Sequence, residues 1–113
     1  MEIHDSVAPA EGETVIEKAE PNGFVGTSLE EDLRAADVDE LVVAGMMSSM
    51  CVDATVRAAA EKGFTVTVVH DACAAPDLEF EGTAIPGASV HGAFMAALGQ
   101  GYASLVPSSE ITG

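Results

Sequence analysis

Basic residues are what this chain most lacks. Its 113 residues include four lysines and arginines against nineteen aspartates and glutamates, a formal net charge of −15. Such a chain repels phosphate backbones and anionic lipid, so neither nucleic acid nor membrane is an expected partner. Two cysteines are too few for a disulfide framework, and free thiols in a cytoplasmic protein are the expectation. No apolar run approaches the length of a membrane span. Met1 to Asp5 shows neither a basic nor an apolar region of a secretory signal. A Walker loop, GxGxxG, a CxxC pair and internal repeats are all missing. His4, His70 and His91 fit no HxH or HxxxH spacing, so neither metal nor other cofactor is expected.

The acids are scattered along the chain rather than gathered in a tail. That distribution fits a salt-adapted proteome better than an acidic interaction module. Self-repulsion destabilises such a fold at low salt. In molar salt the screening length falls to about 3 Å and the repulsion is relieved.

Hydrophobic residues make up 48% of the chain, too many for disorder and enough for one small domain with a single core. Thr14 to Glu17 reads as a short strand, and Asn22-Gly23 as a turn. Thr27 with Glu30 forms a capping-box pattern ahead of the helical spacing of Leu29, Leu33 and Ala36. Leu41–Gly45 is an apolar strand. A helix starting near Cys51 then buries Val52, Val56, Ala59 and Ala60, and ends at Lys62 and Gly63. Phe64 to His70 is a β-branched strand. Asp71 to Pro86 reads as a long loop, of the kind that is a functional lid or disordered. Ala88 to Leu98 reads as a helix with Val90, Phe94, Ala97 and Leu98 inward, and Tyr102 to Val106 as a last strand. Strand and helix alternate, which predicts βαβ crossovers and an α/β fold with a parallel sheet and helices on its faces. In such sheets ligands bind beyond the carboxyl ends of the strands.

Two residues at those ends carry the chemistry best. Cys51 follows the 41–45 strand at a helix start, where free N–H groups and the dipole favour a thiolate and hold an oxyanion. A small buried core cysteine is the competing reading. Arg34, Arg57 and Lys62 lie on helices, where a solvated role is ordinary. Lys18 instead follows a strand, where it can stabilise a thiolate or donate a proton, or simply be solvated. His70 and Asp71 end a strand at the same edge, and Asp71 is the acid best placed there to act as a base. His91 reads as structural. Cys73 lies in the long loop with no helix start behind it.

Three segments carry a family resemblance: VIEKAEPNGFVGT, LEEDLRAADVDELVVAGMMSSMCVDATVRAAAEKGFTVTVVHDACA and SVHGAFMAALGQGYASLVPSSEI. The ordered combination of K…NGF.GT, VAG….CV..T.R.A and V.VV.DA resembles the isochorismatase-like cysteine hydrolases, from about Ile3 to Ile111. The resemblance implies a Rossmann-like fold and hydrolysis of a C–N bond in a small-molecule amide through a Cys51 thioester. It makes Lys18 the partner of Cys51. It implies a cis peptide at Met46–Met47, an oxyanion hole from the backbone N–H groups of Met47 and Cys51, and a pocket lined by Phe24, Met46 and Met47. The family's third catalytic residue, an aspartate ending its first strand, has no counterpart here. By the resemblance, the first two strands and the helix between them are missing, and any metal ligands with them. The expectation is a single, partial domain spanning 1–113 that self-associates through open strand edges. It is the truncated part of a longer hydrolase, a hydrolase part whose missing segment comes from another chain, or a differently folded, inactive interaction module, the first being the favoured expectation.

Overall fold

The computed structural model describes residue 3 and residues 5–111, and His4 lies outside them. The main elements are α1 (Leu29–Ala35), β1 (Glu40–Met46), α2 (Asp53–Glu61), β2 (Thr65–Ala74), β3 (Leu78–Phe80), β4 (Thr83–Ile85), α3 (Gly87–Leu98) and β5 (Ser104–Val106). A parallel sheet runs in the order β1-β2-β5, so β2 has a partner on each side. That central place explains its β-branched sequence: Val66, Val68 and Val69 are all buried. Val52, Val56 and Ala59 meet Met95 and Leu98 of α3 over Val66 and Val68. These side chains form one core, so α2 and α3 share a face of the sheet. Each large aliphatic side chain buried there contributes about 1.5–3 kcal/mol. The opposite face of β1 is open, with Val42 62% exposed and Met46 65%.

The extended segment Thr14 to Glu17 is not a strand. Its β-propensity is real, but a strand needs a ladder, and none of the described residues pairs with it. The expected long loop is also largely structured. β2 continues four residues beyond His70, to Ala74. β3 and β4 then pair as an antiparallel hairpin across Glu81-Gly82, both with positive φ (51° and 79°). Two left-handed residues in a two-residue loop match the twist of the flanking strands.

The helix ends differ in detail from the sequence reading. α1 starts at Leu29 behind Ser28, and the reciprocal capping box does not form. The Thr27 hydroxyl does accept the Leu29 N–H, at 3.2 Å. The Glu30 carboxylate turns instead to Lys62 (2.9 Å) and Arg34 (3.8 Å). In α3 Val90 and Leu98 are buried as expected, while Met95 is buried where Phe94 was expected and Phe94 and Ala97 are only half-buried. The start of α3 is fixed by Asp77, whose carboxylate accepts the Gly87 N–H at 2.6 Å. Glycine is needed at 87, because a Cβ there would stand 2.5 Å from the carbonyl oxygen of Ala75.

Candidate active site

β1 ends at a cis peptide bond, Met46–Met47. The chain then makes one wide turn of π-helix, Ser48–Val52, before entering α2. The Met47 carbonyl closes that turn by accepting N–H groups from Met50 (3.0 Å) and Val52 (3.1 Å). Cys51 therefore sits within the turn, two residues ahead of the regular helix, and is half-buried. Ser48 anchors the turn from below. It is completely buried, and its hydroxyl lies 2.6 Å from Nδ1 of His91 on α3. The structural role expected for His91 thus takes a definite form, a strut between α3 and the turn that carries the thiol.

Lys18 comes to the same place from a segment with no strand pairing. Its Nζ donates to Sγ of Cys51 at 3.3 Å and to the carbonyl oxygen of Glu20 at 3.1 Å. What holds that segment is Thr55, in the first turn of α2. Its hydroxyl accepts the Gly23 N–H at 2.8 Å and donates to the Pro21 carbonyl at 3.3 Å. The Asn22 side chain tightens the same turn by accepting the Phe24 N–H. Sequence reasoning assigned no role to Thr55 or Ser48. The signal for Thr55 was a β-branched hydroxyl residue inside a helix, where it is mildly unfavourable and needs a reason.

A cleft of about 190 Å³ opens over the pair, lined by Lys18, Val43, Ala44, Gly45, Met46, Cys51, Val52 and Thr55. Met46, expected in the pocket, borders this cleft. Met47 is not among the lining residues and its side chain is about one-third exposed. Phe24 is absent too. Its ring stacks on Phe64 at 6.2 Å and packs against the core, drawn there by the larger apolar surface. Among the described residues no cluster of three or more His, Cys, Asp or Glu side chains could hold a metal ion.

The end of β2 looks different. Beyond Val68 the ladder slips: β1 advances from Val43 to Gly45 while β2 advances from Val68 to Cys73. The extra residues form a bulge that turns Asp71 toward the carboxyl-terminal segment. There its carboxylate accepts the Ser108 N–H at 2.8 Å and the Ser108 hydroxyl at 2.9 Å. Those two bonds, the hydroxyl's first, hold the Asp71 carboxyl below the usual carboxylate range. It is thus a poor base, and its oxygens are committed. Cys73 belongs to β2 rather than to a loop. Its Sγ faces the Val69 carbonyl oxygen at 3.4 Å, and burial pushes its thiol up.

The sequence pattern of the isochorismatase domain matches residues 1–108. The chain belongs to the isochorismatase family. Its parallel sheet with helices is that family's fold, and its relatives are isochorismatase-family hydrolases. A curated isochorismatase family protein of Bacillus subtilis, YddQ, is 53% identical over 105 residues, which is 93% of this chain and 58% of that protein. The crystal structure of an isochorismatase from Pseudomonas putida superposes with a TM-score of 0.96 at 38% identity, over 98% of this chain and 57% of the other. The N-carbamoylsarcosine amidase of Thermoplasma acidophilum superposes with a TM-score of 0.81 at 29% identity, over 99% and 58%. The chain therefore spans a little more than half the length of these isochorismatase-family relatives.

Proposed function

We propose that this isochorismatase-family chain carries the nucleophilic half of a cysteine amidohydrolase acting on a small molecule. The observation behind this reading is the 3.3 Å contact between Lys18 Nζ and Cys51 Sγ at the mouth of the cleft. A cation beside a sulfur favours its anionic, nucleophilic form. The thiolate attacks the amide carbonyl, and the developing oxyanion meets the backbone N–H groups of Met47 and Cys51. Lys18 gives a proton to the departing nitrogen, leaving a thioester on Cys51 that water hydrolyses. That second step needs a base. Asp71, bound to Ser108, is withdrawn from the role, so the base comes from outside the residues that line this cleft. The 113 residues act as one domain that makes up part of a longer catalytic unit.

Similarity to an N-carbamoylsarcosine amidase favours an amide over other hydrolysable bonds. The test is to incubate the chain with a panel of small amides, quench in acid and weigh the intact protein. An acyl adduct that maps to Cys51 and vanishes in Cys51→Ala is the expected result. Hydrolysis that survives Cys51→Ala would sink the assignment.

A second reading has one observation in its favour. The outer edge of β1 pairs with none of the described residues, and Val42 and Met46 beside it are exposed. On that reading the chain is a truncated, catalytically silent module that pairs with a second copy through β1. Acyl adducts absent from the whole panel, together with a stable dimer in light scattering, would favour it over the hydrolase.

A further inference from the structure

We infer that Thr55 is the positioning residue of this site: from the first turn of α2, its hydroxyl sets where Lys18 stands against the Cys51 sulfur. The inference rests on the amidohydrolase reading above, which gives Lys18 its role. Cys51 and Thr55 are four residues apart, the spacing that brings side chains to one face of a helical segment. Both border the cleft that Lys18 also lines. A hydroxyl has one proton to donate and lone pairs to accept with. Thr55 spends both on the segment that carries Lys18, accepting the Gly23 N–H at 2.8 Å and donating to the Pro21 carbonyl at 3.3 Å.

The clamp is close to the lysine and tight. Pro21 is three residues beyond Lys18, and its ring fixes φ, which leaves little slack between them. Gly23 is buried, and a Cβ on it would stand 3.4 Å from the Thr55 hydroxyl oxygen and 3.6 Å from its methyl carbon. The segment therefore lies directly against the helix. Other contacts shape the turn farther along: Thr27 donates to the Gly23 carbonyl at 2.6 Å, Asn22 accepts the Phe24 N–H, and Phe24 stacks on Phe64. The Thr55 bonds join the part nearest Lys18 to the helix behind Cys51. α2 thus holds both reacting groups, Cys51 through the backbone that leads into it and Lys18 through Thr55. Their 3.3 Å contact is set by one rigid element. That matters for a flexible lysine, since a misplacement of about 1 Å can cost about 10²-fold in rate.

A double-mutant cycle between Thr55 and Lys18 tests this without requiring turnover. Treat the unaltered chain, Thr55→Val, Lys18→Ala and the double variant with limiting iodoacetamide at pH 7, and read Cys51 and Cys73 by peptide mass. Thr55→Val removes the hydroxyl and keeps the shape of the side chain. It should slow Cys51 by about threefold or more, because a displaced cation leaves less thiolate. Once Lys18 is alanine, the same change should slow Cys51 by less than about 1.5-fold, since residues acting through one contact are not additive. Thr55→Ser, which restores the hydroxyl, should recover most of the rate. Cys73 lies outside these contacts and should keep its rate, whereas general loosening of the fold would raise it. Should Thr55→Val fail to fold, Thr55→Ala, with the best helix former, takes its place in the cycle. An unchanged Cys51 rate in the Thr55 variant, or effects of Thr55 and Lys18 that multiply, overturns the inference. The acyl adduct on Cys51 reports the hydrolase reading separately. A non-additive cycle without any adduct keeps Thr55 as the clamp and removes the amidase; an adduct with a multiplying cycle does the reverse.

Discussion

β1 and β2 are parallel neighbours, and their carboxyl ends face the same edge of the sheet, yet the two ends have different fates. β1 stops at Met46, and the wide turn behind it leaves Cys51 facing an open cleft with Lys18 beside it. β2 runs on through a bulge, and its polar residues are absorbed: Asp71 by Ser108, Cys73 by burial and the Val69 carbonyl. Position at the functional edge is thus necessary without being sufficient. What decides is whether the backbone after the strand uses its polar groups for its own connections or leaves them facing a void.

The largest expected effect separates the two ends directly. Lys18→Ala should lower acyl transfer to Cys51 by about 10²-fold or more, the usual scale for a positioned proton donor. Asp71→Asn should leave it within about twofold, because Asp71 serves the fold rather than the cleft. Equal losses from both variants, measured as acyl-adduct formation in a single turnover, would make the two strand ends one site.

Next comes the strut beneath the reactive turn. His91→Ala strips buried Ser48 of its imidazole partner, and an unsatisfied buried hydroxyl costs about 1–3 kcal/mol. Urea unfolding should show a loss of that size, with His91→Asn recovering part of it. Unchanged stability would mean that Ser48 finds another partner and that α3 does not brace the turn.

A smaller contrast concerns the thiols. With limiting iodoacetamide at pH 7, Cys51 should be modified about tenfold faster than Cys73, the neutral thiol being the unreactive form. Peptide mass analysis reads both sites in one sample. Equal labelling would erase the difference between the strand ends at the level of chemistry.

The smallest effect is a pH dependence. Binding to Ser108 lowers the Asp71 carboxyl in the folded chain, so its contribution to stability is present above its unfolded value of about 3.9. That contribution is lost as pH falls through the folded value. Unfolding curves of the unaltered chain and Asp71→Asn should differ at pH 7 and converge below about pH 4. A gap that stays constant down to pH 3 would remove the role assigned to the Ser108 bonds.

Sequence periodicity disclosed β1, α2, α3 and the first half of β2, because each is written in the spacing of its own apolar residues. The neighbourhood of Cys51 was legible from its place after β1, and that of Lys18 from the family motif that contains it rather than from the strand expected before it. Thr14 to Glu17 misled because a strand is defined by its partner, and propensity carries no information about whether one exists. The hairpin was hidden by an uncommon turn pair, Glu-Gly in place of Asn-Gly or Asp-Gly. Thr55 with Gly23, and Ser48 with His91, join residues far apart in the chain. No local pattern encodes such pairings, and they become visible only when the helices are in place. Phe24 was assigned to the pocket as part of a motif, and its ring chose Phe64.

Among the described residues the outer edge of β1 is unpaired, which carries an expectation about how this protein behaves in a flask. The strand carries one charge, Glu40 at its beginning, and is otherwise apolar or glycine. Little on the strand itself prevents two edges from zipping together. The long-range repulsion of their net charge of −15 is the force expected to keep molecules apart, and it is colloidal rather than structural. Adding salt should relieve repulsion within each molecule and lower the barrier between molecules at the same time. Heat resistance and shelf life in solution should therefore move in opposite directions as potassium chloride rises: the melting temperature climbs while light scattering grows.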